Sequence, residues 1–575
     1  MQSRNTLYEE IKVNSYRELL QYTVKKFGTR AAFRFKKNKT AKQPEFMEVS
    51  YETHLQDVKA LSSKLLSLGL EKERVAIIGH NHYFWPLSYM AVTTGNMIAV
   101  PLDYLLPAHE IENLLIRSQA KAIIFDAKYQ SIMEEIQAKK TTCLEHFICM
   151  DIDNYLQNSS TPCGNSLLVT NLLEEGKQLY VANPSVYDNA IPEENALSIM
   201  LFTSGTTGNA KAVMLSQQNV CSNVSAMTTL IQRTLDNDSV LSFLPLHHTL
   251  ECTATYLFCF YTGFTICYAD SIKAIAKNLK EYGITGMVCV PAVLEIMYRQ
   301  IQKTIKSKGL TIPFQCLMGL SNCLHVFHID LRRKLFKTVL ENLGNLRIVI
   351  YGSAAVDIQI VKFFESIGIS MIQGYGLTET SPVIACEGDY IKCPGSCGKP
   401  LYNQEVRILE PDENGIGEIA TKGPNVMLGY YENEEANQEA FTQDGFFRTG
   451  DLGYMDKKGF LFITGRKKDV IVLSNGKNIF PQEIEHICNA SALVEESFVY
   501  LKEDKLCAKF VYSTDNEALQ GKSSEDMHAM FDALVKEINH QLPVYKAIRH
   551  FTITTTPLIK TTTQKIKRHE EMKLV

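Results

Sequence analysis

The sequence predicts an α/β protein: a large N-terminal domain of parallel-sheet α/β subdomains plus a β-barrel-like section, followed by a small α+β C-terminal domain. Three observations predict it. Short β-rich apolar runs recur between helical patterns, the texture changes near residue 400, and a tail of about a hundred residues carries its own strands and helix. At 575 residues the chain exceeds one ordinary domain and suits three to four structural units of roughly 150 residues each.

The elements follow in order. Residues 75–78 (VAII), 122–125 (AIIF), 287–290 (MVCV) and 348–351 (IVIY) read as strands buried on both faces, as parallel sheets require. Between the first two, residues 108–119 place Ile111, Leu114 and Leu115 at helical spacing. Such alternation covers both sheet faces with helices and puts ligand sites outside the carboxyl ends of the strands. The most apolar stretch, 253–269 (TATYLFCFYTGFTICYA), falls short of the ~20 residues of a membrane span and is interrupted by Gly263. A buried helix followed by a strand fits it, and no transmembrane segment is expected. From about 400 to 465, strands at 406–409, 417–420 and 460–463 alternate with turns such as 411–415 (PDENG), an antiparallel, barrel-like pattern. In the tail, strands at 498–501, 507–512 and 550–554 accompany a helix at 526–540 with Met530, Leu534 and Ile538 on one face.

Composition excludes some classes. The balance of 59 Lys+Arg against 63 Asp+Glu leaves −4, which argues against nucleic-acid binding through an overall basic field. Fifteen scattered cysteines and an N-terminus without an apolar signal core suit reduced thiols in a cytoplasmic protein. Cys386, Cys393 and Cys397 lack paired spacing and a nearby His, so no zinc site is expected.

The most informative segment is 201–216 (LFTSGTTGNAKAVMLS). Apolar strand-like runs flank four hydroxyl residues (Thr203, Ser204, Thr206, Thr207), two glycines (Gly205, Gly208) and Lys211. Glycines let successive backbone N–H groups turn toward one anion, hydroxyls add donors and the lysine adds charge. This is chemistry for a polyphosphate, without the GK[ST] of the common nucleotide loop.

The same segment resembles the phosphate loop of the adenylate-forming superfamily of acyl-CoA synthetases, firefly-type luciferases and peptide-synthetase adenylation domains. Five further segments match in the family's order. Gly374, Tyr375, Gly376, Leu377, Thr378 and Glu379 resemble its second core segment, which implies Tyr375 on adenine, Thr378 at the α-phosphate and Glu379 on Mg²⁺, with Thr203 as a second metal ligand. Gly352, Ser353 and Ala354 resemble the small-residue loop on the adenine's other face. Arg448-Thr449-Gly450-Asp451 resembles the RTGD segment, implying that Asp451 accepts from the ribose hydroxyls; by itself the tetrapeptide reads as a turn. Residues 465–469 (GRKKD) resemble the hinge, with Arg466 at ribose or phosphates and Lys468 as the pivot. Residues 557–568 (PLIKTTTQKIKR) resemble the segment carrying the adenylation lysine, here Lys565. Two departures stand out: Ala210-Lys211-Ala212 where the family often has Pro-Lys-Gly, and Gln564 where it often has Gly.

The resemblance covers nearly the whole chain and implies domains of 1–466 and 467–575, the second mobile. It further implies an AMP-forming acid–thiol ligase that uses ATP and Mg²⁺, with CoA as co-substrate and a face near Gly476 serving the thiol step. Residues 244–251 (LPLHHTLE), with His248 near the acyl carboxylate, and 290–298 (VPAVLEIMY) are similar to long-chain fatty acyl-CoA synthetases, so a medium- to long-chain fatty acid is the expected substrate. An acyl carrier protein is the alternative thiol acceptor, as in a fatty acyl-AMP ligase. A non-catalytic nucleotide-binding scaffold is the alternative from another class; it has no need of Lys565, Glu379, Asp451 and Arg466 together. Peripheral membrane contact is left open by a substrate that partitions into bilayers.

Overall fold

The structure, a computed structural model, describes residues 6–39, 43–157, 163–203, 210–231, 237–327, 329–354, 356–473, 478–503, 505–561 and 566–575. The expected loop residues Ser204, Gly205, Thr206, Thr207 and Gly208, together with Gly476 and Lys565, lie outside the described residues.

Two large sheets dominate. One has nine strands, with Ser370–Gly376, Ile348–Tyr351, Gly286–Cys289, Ser239–Ser242, Thr265–Tyr268 and Ala31–Lys36 running parallel in that spatial order and antiparallel strands at both ends. The other has eight. Leu197–Thr203, Ile98–Pro101, Arg74–Ile78, Ala122–Asp126, His146–Met150 and Leu167–Leu168 are parallel neighbours, Lys211–Ser216 pairs antiparallel with the first of them, and the short strand Gly429–Tyr430 forms the edge beyond it.

One face of each sheet shares a core with the helices Tyr51–Ser67, Phe84–Thr94 and Gln217–Met227. Every residue of Phe84–Thr94 is buried, as expected of a helix that is apolar all round. The outer faces have separate cores. Helices Ile275–Tyr282, Pro291–Ser307 and Ile358–Ser366 cover the nine-stranded sheet, while Ala108–Ser118 and Gln130–Lys139 cover the eight-stranded one.

The expected elements are present with small boundary shifts, and the apolar stretch 253–269 is a helix followed by a strand. Its helix is wound with i→i+5 bonds over Leu250–Phe258, continues as Cys259–Thr262, and leads into Thr265–Tyr268. The antiparallel section is a four-stranded sheet of Glu405–Leu409, Gly417–Lys422, Phe447–Met455 and Leu461–Arg466. Its two outer strands do not pair among the described residues, so it is an open sheet and not a closed barrel. Residues 448–451, which read alone as a turn, lie inside the strand Phe447–Met455.

The C-terminal part has its own core, formed by helix Ser524–Gln541 on the strands Glu496–Lys502, Lys505–Val511 and His550–Thr554. No helix among the described residues is long and apolar enough to cross a membrane.

Candidate active site

The carboxyl ends of parallel strands in the two large sheets hold Thr203, Gly352 and the Tyr375–Glu379 segment, while Asp451 and Arg466 lie on the antiparallel four-stranded sheet. Thr203 ends Leu197–Thr203 and pairs across the hairpin with Lys211, its Oγ1 donating to the Lys211 carbonyl at 3.4 Å. The two ends of the phosphate loop are therefore fixed side by side. A short strand, Gly429–Tyr430, lies antiparallel on the other side of Lys211–Ser216. It carries a residue the sequence reading passed over. The Tyr430 hydroxyl donates to Glu379 Oε1 at 2.9 Å, and the Lys211 ammonium sits 4.7 Å from the centre of the Tyr430 ring. One side chain thus links the carboxylate and the lysine.

Glu379 lies in a single helical turn, Thr378–Thr380, that follows the strand Ser370–Gly376. The turn is tight. A Cβ on Gly376 would stand 1.7 Å from the Pro382 carbonyl oxygen, so only glycine fits there. Two buried asparagines hold the turn: Asn425 donates to the Thr380 and Val383 carbonyls (2.7 and 3.0 Å), and Asn223 donates to Val383 at 2.7 Å. The loop of Gly352, Ser353 and Ala354 approaches from the next strand; a Cβ on Gly352 would meet the Gly374 carbonyl at 2.9 Å. These small residues and Tyr375 are therefore close neighbours, as a slot for a flat ring requires.

Tyr375 is buried, and its hydroxyl donates to Asp451 Oδ2 at 2.8 Å. Arg466 forms an ion pair with Asp451, Nε to Oδ1 at 2.7 Å. Asp451 is itself held by its backbone N–H on Thr449 Oγ1 (3.1 Å), and Thr449 Oγ1 donates to Ile419 O at 2.7 Å. Lys467 and Arg448 both bind Glu418 Oε2, each at 2.9 Å. Beyond Lys468 the partners change. Asp469 accepts from Gln482 Nε2 at 2.7 Å and stands 3.5 Å from Arg568 Nε, both in the C-terminal part.

On either side of residues 562–565, the described chain is held by the C-terminal part. Lys560 bridges Ile566, its ammonium pairs with Glu496, and Arg568 pairs with Glu485.

The 244–251 segment forms the other half of the site. A cavity lined by Ile199, Leu201, Leu215, Val220, Leu246 and Cys252 also has His247 and Thr249 on its wall. Thr249 Oγ1 lies 3.5 Å from Thr378 Oγ1, so the apolar cavity adjoins the Thr378–Thr380 turn. It is His247, not His248, that lines the cavity; the two rings pack with centroids 4.3 Å apart. Burial pulls the His247 imidazole down to about 3, so it is neutral at physiological pH. Asp103 stands 3.6 Å from its Nε2, beyond hydrogen-bond reach. Glu251 is fully buried. Burial pushes its carboxyl up to about 8, against the opposing effect of hydrogen bonds from Ser242 (2.6 Å) and Thr255 (2.7 Å). Asn81 ties this group to the histidine loop, donating to Ser242 Oγ at 2.9 Å and to Leu244 O at 2.6 Å.

Among the described residues no group of three His, Cys, Asp or Glu could hold an ion. Glu379 and Thr203 offer one carboxylate and one hydroxyl, a set that suits Mg²⁺, which binds through one or two carboxylates plus substrate phosphates and waters.

The Thr378–Thr380 turn, the Gly352–Ala354 loop and Tyr375 thus lie beside a small apolar cavity. The chain belongs to the AMP-binding enzyme family, whose model matches residues 20–431, and the model of the AMP-binding enzyme C-terminal domain matches residues 468–574. Among its relatives is a long-chain-fatty-acid–CoA ligase of Mycobacterium bovis, 27% identical over 552 residues that cover 89% of this chain and 88% of that protein. Another is a chloroplastic long-chain-fatty-acid–[acyl-carrier-protein] ligase of Arabidopsis thaliana, 26% identical over 534 residues (82% and 73%). The fold is similar to that of the adenylation domain of a Mycobacterium chelonae carboxylate reductase, with TM-score 0.77, 19% identity, and 97% and 90% of the two chains covered. It is also similar to ATP-bound MatB from Rhodopseudomonas palustris, with TM-score 0.71, 20% identity, and 97% and 98% covered.

Proposed function

We propose that the protein activates a medium- to long-chain fatty acid with ATP and transfers the acyl group to the thiol of CoA. The observation that carries this reading is the apolar wall of Ile199, Leu201, Leu215, Val220 and Leu246 around a small, water-sized cavity, which adjoins the Thr378–Thr380 turn and so lies next to the residues that would face the α-phosphate. The relatives named as long-chain-fatty-acid ligases support it.

In this reading Tyr375 and the Gly352–Ala354 loop enclose adenine, and Asp451 accepts from the ribose hydroxyls. Thr378 donates to the α-phosphate, while Lys211 and the 204–208 loop hold the outer phosphates. Glu379 and Thr203 would hold Mg²⁺, which supplies positive charge at the phosphates. The acid's carboxylate oxygen, near His248 and His247, bonds to the α-phosphorus as the bond to pyrophosphate breaks. The barrier is the approach of one anion to another, so donors and cations fixed in advance lower it most. The CoA sulfur then bonds to the acyl carbon, and AMP leaves. Lys468 is the proposed pivot between the two steps, and 466/467 the domain boundary.

The test is a panel of acids from acetate through aromatic acids to stearate, assayed for AMP release with and without CoA. AMP release should peak on medium to long chains and require CoA. A peak on acetate or an aromatic acid sinks the substrate assignment. Pyrophosphate exchange driven by palmitate without CoA-dependent AMP release would favour a carrier protein as acceptor, the acceptor in the Arabidopsis relative's name.

Tyr430 gives a second test. Tyr430→Phe removes the hydroxyl on Glu379 but keeps the ring under Lys211, and should raise the Mg²⁺ needed for half-maximal exchange roughly tenfold, the size of one hydrogen bond to a charged group. Tyr430→Leu removes both contacts and should raise the KM for ATP as well. Equal Mg²⁺ curves for wild type and Tyr430→Phe would refute the link.

A further inference from the structure

We propose that residues 296–337 form a docking face for an anionic lipid bilayer. The helix Thr311–Val326 (TIPFQCLMGLSNCLHV) contains no Asp, Glu, Lys or Arg. One stripe packs inward, with Phe314, Leu317 and Met318 against the core of the nine-stranded sheet. The opposite stripe, Ile312, Cys316, Leu320, Cys323 and the following Phe327, repeats at helical spacing and faces solvent. Ile312 is 74%, Leu320 53% and Phe327 69% exposed. Ile296, Leu310 and Ile329, on either side in sequence, are exposed too. A surface helix ordinarily turns a polar stripe to water, so a contiguous apolar one marks an interaction site.

Charge indicates the occupant. Residues 299–337 hold eight Lys and Arg against one acid, Asp330, in a chain with a formal charge of −4. Arg332 takes up Asp330 at 2.7 Å. Lys303, Lys306 and Lys308 are exposed and form no ion pair among the described residues. Ile296 and Lys303, seven residues apart, share one face of the helix Pro291–Ser307. Apolar side chains flanked by cations match a surface with hydrocarbon beneath anionic headgroups. A second copy of this chain would bring the same cations against themselves, and like charges oppose that contact. The docking face stands on these side chains alone; its use in drawing fatty acid from the bilayer rests on the proposed function.

Flotation of the full chain with vesicles, without ATP or acid, tests it. Vesicles of phosphatidylserine mixed with phosphatidylcholine should carry the protein, and phosphatidylcholine alone should not. Raising salt from about 0.1 M to about 1 M should release it. Ile312→Glu with Leu320→Glu and Phe327→Glu, and separately Lys303→Glu with Lys306→Glu and Lys308→Glu, should each weaken binding about tenfold or more. Both variants should retain the wild-type melting temperature and the wild-type turnover of albumin-delivered acid. Failure of the wild type to float, undiminished binding by either variant, or loss of self-association in place of vesicle binding would overturn the proposal. Turnover in albumin is unaffected by those outcomes, so a failed docking face and a failed fatty-acid assignment remain distinct results.

Discussion

Lys565→Ala abolishes most of the adenylation half-reaction, lowering acid-dependent ATP–pyrophosphate exchange by about a hundredfold to a thousandfold, the cost of one charge-stabilising donor at a transition state. Thioester formation from supplied acyl-AMP stays within a few-fold of wild type. The reasoning is electrostatic. A carboxylate must approach a polyphosphate, and in the proposed reading Lys565 is the cation that the C-terminal part brings to that encounter. The Lys560–Ile566 bridge and the pairs Lys560–Glu496 and Arg568–Glu485 hold the described flanks, 560–561 and 566–568, on the C-terminal part. If Lys565 acts from that part, its removal should affect only the half-reaction in which that part is engaged. Comparing exchange with CoA-dependent consumption of synthetic acyl-AMP decides the matter. Equal losses in both half-reactions, or none in exchange, would remove Lys565 from the role.

Asp451→Ala raises the KM for ATP by about a hundredfold and lowers the melting temperature by several degrees. Asp451 serves two partners already fixed in the structure, the Tyr375 hydroxyl at 2.8 Å and Arg466 Nε at 2.7 Å. Truncation leaves the buried tyrosine hydroxyl without its acceptor, which costs about 1–3 kcal/mol, and frees the arginine next to the hinge. Asp451→Asn should be milder, because an amide oxygen still accepts from one partner while the charge opposite Arg466 is lost. Titration of ATP binding by calorimetry, with melting curves for both variants, checks the order. A wild-type ATP affinity in Asp451→Ala would refute the nucleotide assignment.

Much of this was legible in the sequence because parallel strands buried on both faces leave continuous apolar runs, as at 122–125 and 348–351. The chemistry-bearing segments were legible because each packs its groups into a few consecutive residues. Non-local pairing was not. Tyr430 meets Glu379 across 51 positions only because Gly429–Tyr430 pairs with Lys211–Ser216, and nothing local encodes that alignment. The winding of Leu250–Phe258 was hidden for another reason: its polar residues Glu251, Thr253 and Thr255 are spaced two apart and mark no single helical face by which i→i+4 and i→i+5 winding could be told apart. Arg448 to Asp451 reads by itself as a turn, and Gly450 does have a positive φ of 70°, yet the strand continues through it. His247 and His248 are adjacent, and only packing distinguishes the one that lines the cavity.

The opposed titrations of His247 and Glu251 have a joint effect. Burial keeps the proton off the imidazole above about 3 and on the carboxyl below about 8, so between those limits neither bears a formal charge. Neither side chain therefore adds charge beside the apolar cavity, while Lys211, Glu379, Asp451 and Arg466 supply ionic groups past the Thr249–Thr378 contact. Under the proposed function, a substrate with one ionic and one oily end would meet a step in polarity here and would be sorted head from tail before any bond is made.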